Sequence, residues 1–324
     1  MKAQTVTLIG VNRASASIGL ALKASPLEMV VVGYDADRAR AEEAKEIKAI
    51  DKTDWNLISA VSKADILVLA LSAAELQETM PLFGEDVQPH ALVLDFSSLK
   101  GQGIALANKH LRRGHYVGVQ AVLSAAALAD GRSTVSTAQG DMFRDSVFCL
   151  MPAPQADPKA VETAVNFGRI LGGTPYFVDP HEYDSLLQGI TTIPGLMAAI
   201  VFSTVNQATG WRDILRFADL PFALTTAPLQ DGAEITHLAL NNKQATLRWL
   251  DAFMNELKEI RRLVEQEDGE LLLATLTDLQ YRREKWLHER SENNWVEIPA
   301  QDVQSRSLPE QMLGGWLGGK RKKE

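Results

Sequence analysis

The chain has 324 residues, of which 46% are hydrophobic, and it carries a formal net charge of −8 at pH 7. This length exceeds the usual size of a single hydrophobic core and predicts two domains. The acidic balance argues against a nucleic-acid binder or a protein held at an anionic membrane surface, because neutralising phosphates requires a basic face.

The first half of the chain alternates short apolar runs with amphipathic stretches. The runs TVTLIG, MVVVGYD, ADILVLAL and ALVLDFSS are typical of strands buried on both faces of a parallel sheet. Crossover helices are predicted between and after them, at 16–24, 37–48, 73–83 and 101–113. HYVGVQAV, SVFCLMPA and TPYFVD predict further strands, and PKAVETAVNFGRILGG predicts a helix. We therefore predict a doubly wound, Rossmann-type α/β domain with a parallel sheet over residues 1–180.

The strand pattern stops after DPHEYD, and the periodicity from 184 to about 290 is helical. We predict a mostly helical domain over residues 181–295. Its apolar stripes are either core or a subunit interface, as in the series Leu247, Leu250, Met254, Leu257, Arg261 and Val264. Residues 296–324 lack sustained periodicity and are expected to form a poorly ordered tail that ends in a solvated basic run at 320–323.

Targeting features are absent from this pattern. No secretory signal precedes the first predicted strand, and no apolar run approaches the roughly 18 residues of a membrane span. The one cysteine, Cys149, leaves no partner for an internal disulfide, and its apolar neighbours predict a buried side chain. We expect a cytoplasmic protein with no membrane attachment and no metal site.

The first predicted strand leads into the loop IGVNRASASIGLAL. Dinucleotide-binding loops use three glycines, for the tight turn, the approach of the backbone to the pyrophosphate and the packing of helix on strand. Those positions are Gly10, Asn12 and Ser15; asparagine tolerates left-handed dihedrals and serine is small, so the backbone path is expected to survive. Ser15, Ser17 and Arg13 could contact the phosphates beside the helix dipole. The alternative is a capped turn in a fold that no longer binds nucleotide.

Asp35 ends the second predicted strand, 25 residues after Gly10. A carboxylate at this position can accept hydrogen bonds from the adenosine ribose, and it favours NAD because it would repel the 2′-phosphate of NADP. Arg38 could pair with such a phosphate, so NADP is not excluded. An aspartate at a strand end can also be only a helix N-cap, but its spacing from Gly10 favours cofactor binding.

Five segments carry, in order and spacing, the motifs of one known family. They are GVNRASASIGLAL, VLDFSSLKG, YVGVQAVLSA, DPHEYDSLLQGITTIPGL and GWRDILRFA. Over about residues 5–265 the chain thereby resembles the prephenate/arogenate dehydrogenase family of tyrosine biosynthesis. The resemblance implies a nicotinamide-binding domain, a helical dimerisation domain that forms a homodimer, and oxidative decarboxylation of a cyclohexadienyl carboxylate with NAD(P).

The resemblance also assigns residues to the reacting end of the site. Gln120 stands at the family's catalytic histidine and Ala121 at the following proline; glutamine cannot take a proton near neutral pH, and losing the base is expected to lower the rate by about 10²–10⁴. Ser98 and Lys100 match an Asp-x-x-Ser-x-Lys strand end. Ser98 could orient the substrate or nicotinamide, or be a turn residue, and Lys100 is expected to be exposed. His115 is expected at the opposite end of its strand from Gln120.

In the helical domain the family's Ser-His pair falls on Thr191 and Thr192, and a later histidine falls on Gly195. The two threonines are candidate substrate-binding residues. Arg216 matches the arginine that holds a substrate carboxylate in the family, which implies a small carboxylated substrate gripped bidentately. The alternative is an ion pair between Arg216 and Asp213 on one helix face.

Two functions stay open. The leading hypothesis is a prephenate-dehydrogenase-like oxidoreductase with Ser98 and Gln120 facing the reacting ring. The alternative is a catalytically impaired homologue that binds a nucleotide or small acid and acts as a sensor or interaction protein. A reductase of small hydroxy acids or imines shares the fold but is disfavoured by the WRDILRFA motif.

Overall fold

The computed structural model describes residues 4–128 and 132–293. Its strands form one eight-stranded sheet in the order β3-β2-β1-β4-β5-β6-β7-β8. The strands are β1 (Gln4–Ile9), β2 (Met29–Tyr34), β3 (Lys52–Thr53), β4 (Ile66–Leu69), β5 (Leu92–Asp95), β6 (His115–Ala121), β7 (Ser146–Pro152) and β8 (Gly173–Phe177). The β6–β7 pair is antiparallel and the other pairs are parallel, so the predicted doubly wound sheet is confirmed with one inverted strand pairing.

Helices cover both faces of this sheet. The helices of the described residues are α1 (Arg13–Ala24), α2 (Arg38–Glu46), α3 (Leu57–Ser62), α4 (Ala73–Phe83), α5 (Lys100–His110), α6 (Ala125–Leu128), α7 (Pro158–Ile170), α8 (Pro180–Leu187), α9 (Ile193–Asn206), α10 (Trp211–Phe217), α11 (Leu220–Thr226), α12 (Gly232–Asn241), α13 (Lys243–Glu265) and α14 (Gly269–Ser291). One buried apolar cluster joins the sheet to α1, α2 and α7, and a second joins it to α3, α4 and α5. The buried strand runs of the sequence thus face helices on both sides, as expected.

The sheet positions a crevice between β1 and β4. These neighbouring strands are parallel, and the chain continues from β1 to β2 on one side and from β4 to β5 on the other. Open α/β sheets bind ligands outside the carboxyl ends of the strands at such a switch point. Any dinucleotide site of this fold is therefore expected beside the loops that follow Ile9 and Leu69.

A long apolar helical stretch follows the sheet. Pro180–Asn206 runs for 27 residues through α8, a π-helical turn at Gln188–Thr192 and α9, with a mean hydropathy of 1.6 in its most apolar window. By length and composition alone it could cross a membrane, so the expectation that no apolar run approaches that length is wrong. The polar residues of its middle hid this stretch in the sequence. Only 33% of that window is buried.

The chain divides into two compact units, one ending at Lys243 and one beginning at Gln244. The first holds the sheet and α1–α12, and the second holds α14 and nearly all of α13. Helical structure is confirmed for the apolar stripe predicted here. Several of its side chains are exposed: Leu247, Met254, Leu257 and Val264. The predicted tail and its basic run lie outside the described residues.

Candidate functional site

A cavity of about 770 Å³ opens at the carboxyl ends of the central strands. Its lining brings together half of the site residues predicted from the sequence, namely Gly10, Asn12, Ser15, Asp35, Ser98 and Gln120. A larger cavity, of about 910 Å³, lies near Thr5 and Asp65, at the amino ends of β1 and β4. We assign the functional site to the first cavity, because doubly wound folds bind ligands at the carboxyl edge.

The tight turn after β1 requires glycine. Gly10 has a φ of +86°, and a Cβ there would lie 2.7 Å from the carbonyl oxygen of Ala70 in the loop after β4. Its N–H donates to the carbonyl oxygen of Tyr34. Any side chain at position 10 would therefore be strained and would push the β1 and β4 loops apart.

Asn12 and Ser15 close the first turn of α1 upon itself. The Oδ1 of Asn12 accepts a hydrogen bond from the N–H of Ser15 at 3.0 Å, and the Oγ of Ser15 accepts one from the N–H of Asn12 at 2.9 Å. This is a capping box. The backbone at Asn12 is extended, with a φ of −134°. Asparagine therefore serves here through its side chain, and its tolerance of left-handed dihedrals is not used.

Asp35 is buried at the end of β2 and tied to the glycine loop. Its carboxylate accepts hydrogen bonds from the N–H of Val11 at 2.6 Å and from the N–H of Asp37 at 2.7 Å. Arg40 lines the cavity beside it, whereas the guanidinium of Arg38 lies over the ring of Trp55. The sequence pattern favours Arg38, but the orientation of α2 decides which of the two arginines faces the cavity, and that arginine is Arg40.

Arg13 and Ser17 face away from the cavity. The guanidinium of Arg13 donates to the carbonyl oxygens of Arg132 and Thr137, at 2.7 and 3.1 Å. The Oγ of Ser17 accepts a hydrogen bond from the N–H of Gln139 at 2.9 Å. Both side chains therefore hold the segment 132–139 against α1, and this structure places neither at the expected phosphate position.

Lys100 is fully buried, so the expectation that it is exposed is wrong. Its ammonium group donates to the carbonyl oxygens of Asp95, Ser97 and Val119. These oxygens belong to the last residue of β5, to the loop that follows it and to β6. Burial lowers the pKa of Lys100, while the carboxylates of Asp95 and Asp184 act to raise it.

Asp95 shapes the turn that presents Ser98. Its carboxylate accepts hydrogen bonds from the N–H and the hydroxyl of Ser97 and from the hydroxyl of Tyr116. Burial, with the nearby Asp95 charge, raises the pKa of Tyr116 well above its ordinary value. Asp95 is thus occupied with structure, whereas Ser98 lines the cavity together with Gln120.

Asp184 of α8 caps α5 from outside that helix. Leu99 at the N-cap offers no side-chain acceptor, and Asp184 instead accepts the N–H groups of Lys100 and Gly101 at 2.7 and 2.8 Å. Burial raises the pKa of Asp184, although these two bonds and the charges of Lys100 and His181 oppose the shift. Sequence spacing does not reveal a cap supplied 83 residues away.

The predicted residues of the helical segment do not line the cavity. Thr191 is exposed, and Thr192 is buried with no hydrogen-bond partner for its hydroxyl among the described residues. A Cβ on Gly195 would lie 2.7 Å from the Cδ1 of Ile235, so Ile235 of α12 fills the space beside that position. Arg216 is exposed and lies 3.7 Å from Asp213, which is the ion pair considered as the alternative.

The wall formed by α4 and α12 is acidic. Glu234 accepts hydrogen bonds from the N–H groups of Ala73 and Ala74, at 3.1 and 3.4 Å, and so caps α4 from α12. In all, five carboxylate side chains and one arginine line the cavity: Asp35, Glu75, Glu78, Asp231, Glu234 and Arg40. Apart from Asp35, these acids could not be predicted from the sequence, because their proximity depends on tertiary packing.

No histidine lines the cavity among the residues that the structure describes. His115, the nearest to Gln120 in sequence, starts β6 and pairs in register with Leu92 at the start of β5, as expected. Gln120 is near the other end of β6, and its Nε2 donates to the carbonyl oxygen of Ala121 at 3.2 Å. Its amide oxygen can accept a hydrogen bond but not a proton.

A dinucleotide fits this lining at both of its ends. Asp35 stands where a ribose carboxylate partner is needed, and Ser98 and Gln120 offer polar groups at the reacting end. The turn at Gly10 is preserved. Between the two ends, the side chain of Asn12 lies on the first turn of α1, where a pyrophosphate would bind.

Comparison with known proteins agrees with this geometry. Residues 18–175 match the family model described as prephenate dehydrogenase, nucleotide-binding domain, and residues 179–278 match the one described as prephenate dehydrogenase, dimerization domain. The first match begins just after the capped loop. A prephenate dehydrogenase from Bacillus subtilis is 27% identical over 83% of this chain and 72% of its own length, and a cyclohexadienyl dehydrogenase from Zymomonas mobilis is 20% identical over 86% and 94%.

Solved structures show the same fold. Prephenate dehydrogenase from A. aeolicus, in complex with hydroxyphenyl propionate and NAD+, superposes with a TM-score of 0.73 at 19% identity, covering 88% of this chain and 99% of that one. Synechocystis arogenate dehydrogenase gives a TM-score of 0.65 at 18% identity, with coverages of 87% and 100%. With two consecutive family models spanning most of its length, the chain belongs to the prephenate dehydrogenase family.

Proposed function

We propose that this protein is an NAD-dependent dehydrogenase that oxidatively decarboxylates a cyclohexadienyl carboxylate. The observation that carries the proposal is the cavity that joins Asp35 and the Gly10 turn to Ser98 and Gln120. Similar proteins with solved structures include one in complex with NAD+. Arg40 beside Asp35 could pair with a 2′-phosphate, so NADP is retained as a second cofactor.

The proposed reaction needs a hydride acceptor, groups that orient the substrate and an acceptor for the hydroxyl proton. NAD+, when bound, would supply the hydride acceptor for a ring that also loses carbon dioxide and its hydroxyl proton. Gln120 can accept a hydrogen bond from that hydroxyl and so orient the ring, while Ser98 holds the substrate or the nicotinamide amide. Among the described residues that line the cavity beside Gln120 and Ser98, no side chain is suited to act as a base, so we expect the proton to pass to water. We therefore expect slow turnover.

The acidic wall bears on the choice of substrate. Prephenate carries an oxo acid where arogenate carries an amino acid, so only arogenate presents an ammonium group. Four carboxylates along α4 and α12, Glu75, Glu78, Asp231 and Glu234, face the cavity. Both substrates carry two carboxylates, so the attraction of these acids for the ammonium group is what favours arogenate. Arg216, exposed beside Asp213, is the proposed anchor for the carboxylate, and it must leave that weak pair to act.

The exposed apolar side chains support a homodimer. Among them are Ile200, Phe217, Leu220 and Leu224 in α9–α11 and Leu257 in α13, and residues 179–278 match a dimerization-domain model. Large exposed apolar side chains on helices that match a dimerization domain are typical of an interaction site. Because the apolar stretch Pro180–Asn206 lies within that match, we propose that a second subunit covers it and retain the expectation of a cytoplasmic protein.

Two observations favour the alternative of a non-catalytic sensor. The capping box of Asn12 and Ser15 satisfies the helix N-terminus without a ligand, and Ile235 fills the space beside Gly195. Both are changes that a site released from catalysis would tolerate. Such a protein would bind nucleotide or a small acid without turnover.

An assay of cofactor reduction tests the proposal. The protein is incubated with NAD or NADP and with arogenate or prephenate, and the reduced cofactor and the decarboxylated aromatic product are both measured. We expect slow, stoichiometric formation of both, faster with arogenate, and slower still in Gln120→Ala. Cofactor binding with no product from either substrate would favour the sensor.

A further inference from the structure

We propose that the side chain of Asn12 occupies the pyrophosphate position of this cavity and thereby sets its affinity for dinucleotides. The inference rests on the proposed function. It goes further in naming one side chain of this chain as an internal competitor of the cofactor. Its consequence is unusual for a lining residue, because removing Asn12 should strengthen binding.

The competition is for backbone donors. A pyrophosphate at a helix N-terminus is held by N–H groups of the loop and the first turn. Here the N–H of Ser15 is taken by Asn12 Oδ1, that of Asn12 by Ser15 Oγ, and that of Val11 by Asp35. A diphosphate must therefore displace the amide of Asn12 to reach the N–H of Ser15.

The side-chain amide of Asn12 also forms a hydrogen bond to the loop after β4, across the crevice between β1 and β4. The Nδ2 of Asn12 donates to the carbonyl oxygen of Ala70 at 3.0 Å. Gly10 approaches the same oxygen, so the β1 and β4 loops meet under this side chain. The amide thus lies over the gap between the two loops, at the place where glycine would leave room for phosphate.

A diphosphate can displace the side-chain amide of Asn12. Asn12 is exposed, and both contacts of its amide are hydrogen bonds between neutral groups. A diphosphate would replace them with stronger, charge-assisted bonds. Each neutral bond given up lowers the affinity by roughly twofold to tenfold, so the dinucleotide is weakened but not excluded.

Asn12→Ala removes the competitor, and Asn56→Ala is the matched control. Asn56 caps α3 in the same way, with its Oδ1 accepting the N–H of Ser59 at 2.9 Å, but it lies outside this cavity. Both variants should lower the unfolding temperature of the free protein, because each loses one N-cap. Only Asn12→Ala should change ligand affinity.

Titration calorimetry with NAD, ADP-ribose and adenosine separates the effect of Asn12 on diphosphate binding from its effect on binding of the nucleoside. We expect Asn12→Ala to bind NAD and ADP-ribose about fivefold tighter than wild type, through loss of the competing bonds, and to bind adenosine, which lacks phosphate, unchanged. Tighter binding in a less stable protein is a result that a purely structural role would not produce.

Three results would overturn the inference. If wild type binds NAD and Asn12→Ala binds it no tighter, the inference fails and the proposed function stands. If Asn56→Ala gains as much affinity, the effect belongs to helix capping in general. If neither wild type nor Asn12→Ala binds NAD or ADP-ribose, the inference and the proposed dehydrogenase function both fail.

Discussion

The ammonium group of Lys100 lies 2.7 Å from the carbonyl oxygen of Val119, the residue before Gln120. The same group donates to the carbonyl oxygen of Ser97, the residue before Ser98. One buried cation therefore joins the ends of β5 and β6 and fixes the spacing of the two side chains at the proposed reacting end. The resemblance placed Lys100 in a motif, and the structure supplies the reason for a lysine there.

Lys100→Met should destabilise the fold by on the order of 3 kcal/mol, because it strands buried carbonyl oxygens that a charged donor satisfies. Urea unfolding measures the change. Lys109→Met on the exposed face of α5 is the control and should stay within about 0.5 kcal/mol of wild type. Equal stabilities of the two variants would contradict the role assigned to Lys100.

Gln120→His should raise the rate of substrate oxidation by about 10²–10⁴, because it restores a group that can take the ring hydroxyl proton. The measurement is cofactor reduction at saturating arogenate or prephenate. Gln120→Asn, which supplies an amide but no base, should show no gain. An inactive Gln120→His variant that still binds NAD would indicate a repurposed cavity.

Asp35→Asn should weaken NAD binding by about tenfold, because a charged acceptor of ribose hydroxyl bonds is lost. NADP binding should weaken less, since repulsion of its 2′-phosphate is relieved. Asp157→Asn, which alters the exposed cap of α7 outside the cavity, should leave both affinities unchanged. Calorimetry with the two cofactors measures the ratio, and a parallel loss for both would contradict the ribose assignment.

Asp184 should contribute an acid-side pH dependence to stability. Burial raises its pKa in the folded protein, so the folded state holds this proton more tightly than the unfolded chain. The stabilisation is complete below the unfolded pKa and is lost as pH rises through the folded value. Over the pH range that begins at about 4, the ordinary value for an aspartate, wild type should lose stability relative to Asp184→Asn as pH rises. Urea unfolding across this range gives the free energy of unfolding of both proteins. The account is contradicted if the value for wild type minus that for Asp184→Asn stays constant or rises with pH.

The sheet could be predicted because its signal is local. Runs such as TVTLIG and ADILVLAL have no polar alternation, and the helices between them have their own period. The antiparallel pairing of β6 and β7 could not be read in this way, since strand direction depends on how the segment between them returns. Cys149, expected to be buried, is half-buried because it alternates with the inward-facing residues of β7.

The site was predictable where a motif fixes both spacing and position. Gly10, Asp35, Ser98 and Gln120 follow strands directly, so the parallel sheet brings them to one edge. Arg13 and Ser17, by contrast, lie on the first turns of α1 but face the segment 132–139. Orientation around a helix depends on packing partners far away in sequence.

The long-range caps were missed for the same reason. Glu234 on α4 and Asp184 on α5 each satisfy a helix N-terminus from another element, and no local pattern marks either pair. The burial of Lys100 likewise depends on Val119, 19 residues further along the chain. Because these contacts form only in the folded chain, the charge of the cavity walls and the positions of the loops around them could not be predicted from the sequence.

Titration calorimetry of the wild-type protein with NAD, NADH, NADP and NADPH tests the central claim most directly, because every proposed role depends on a dinucleotide in the cavity. The account predicts a dissociation constant in the micromolar range for NAD or NADH, with weaker binding of the phosphorylated forms. Absence of binding by all four at millimolar concentration would contradict it and favour a site that recognises a small acid alone.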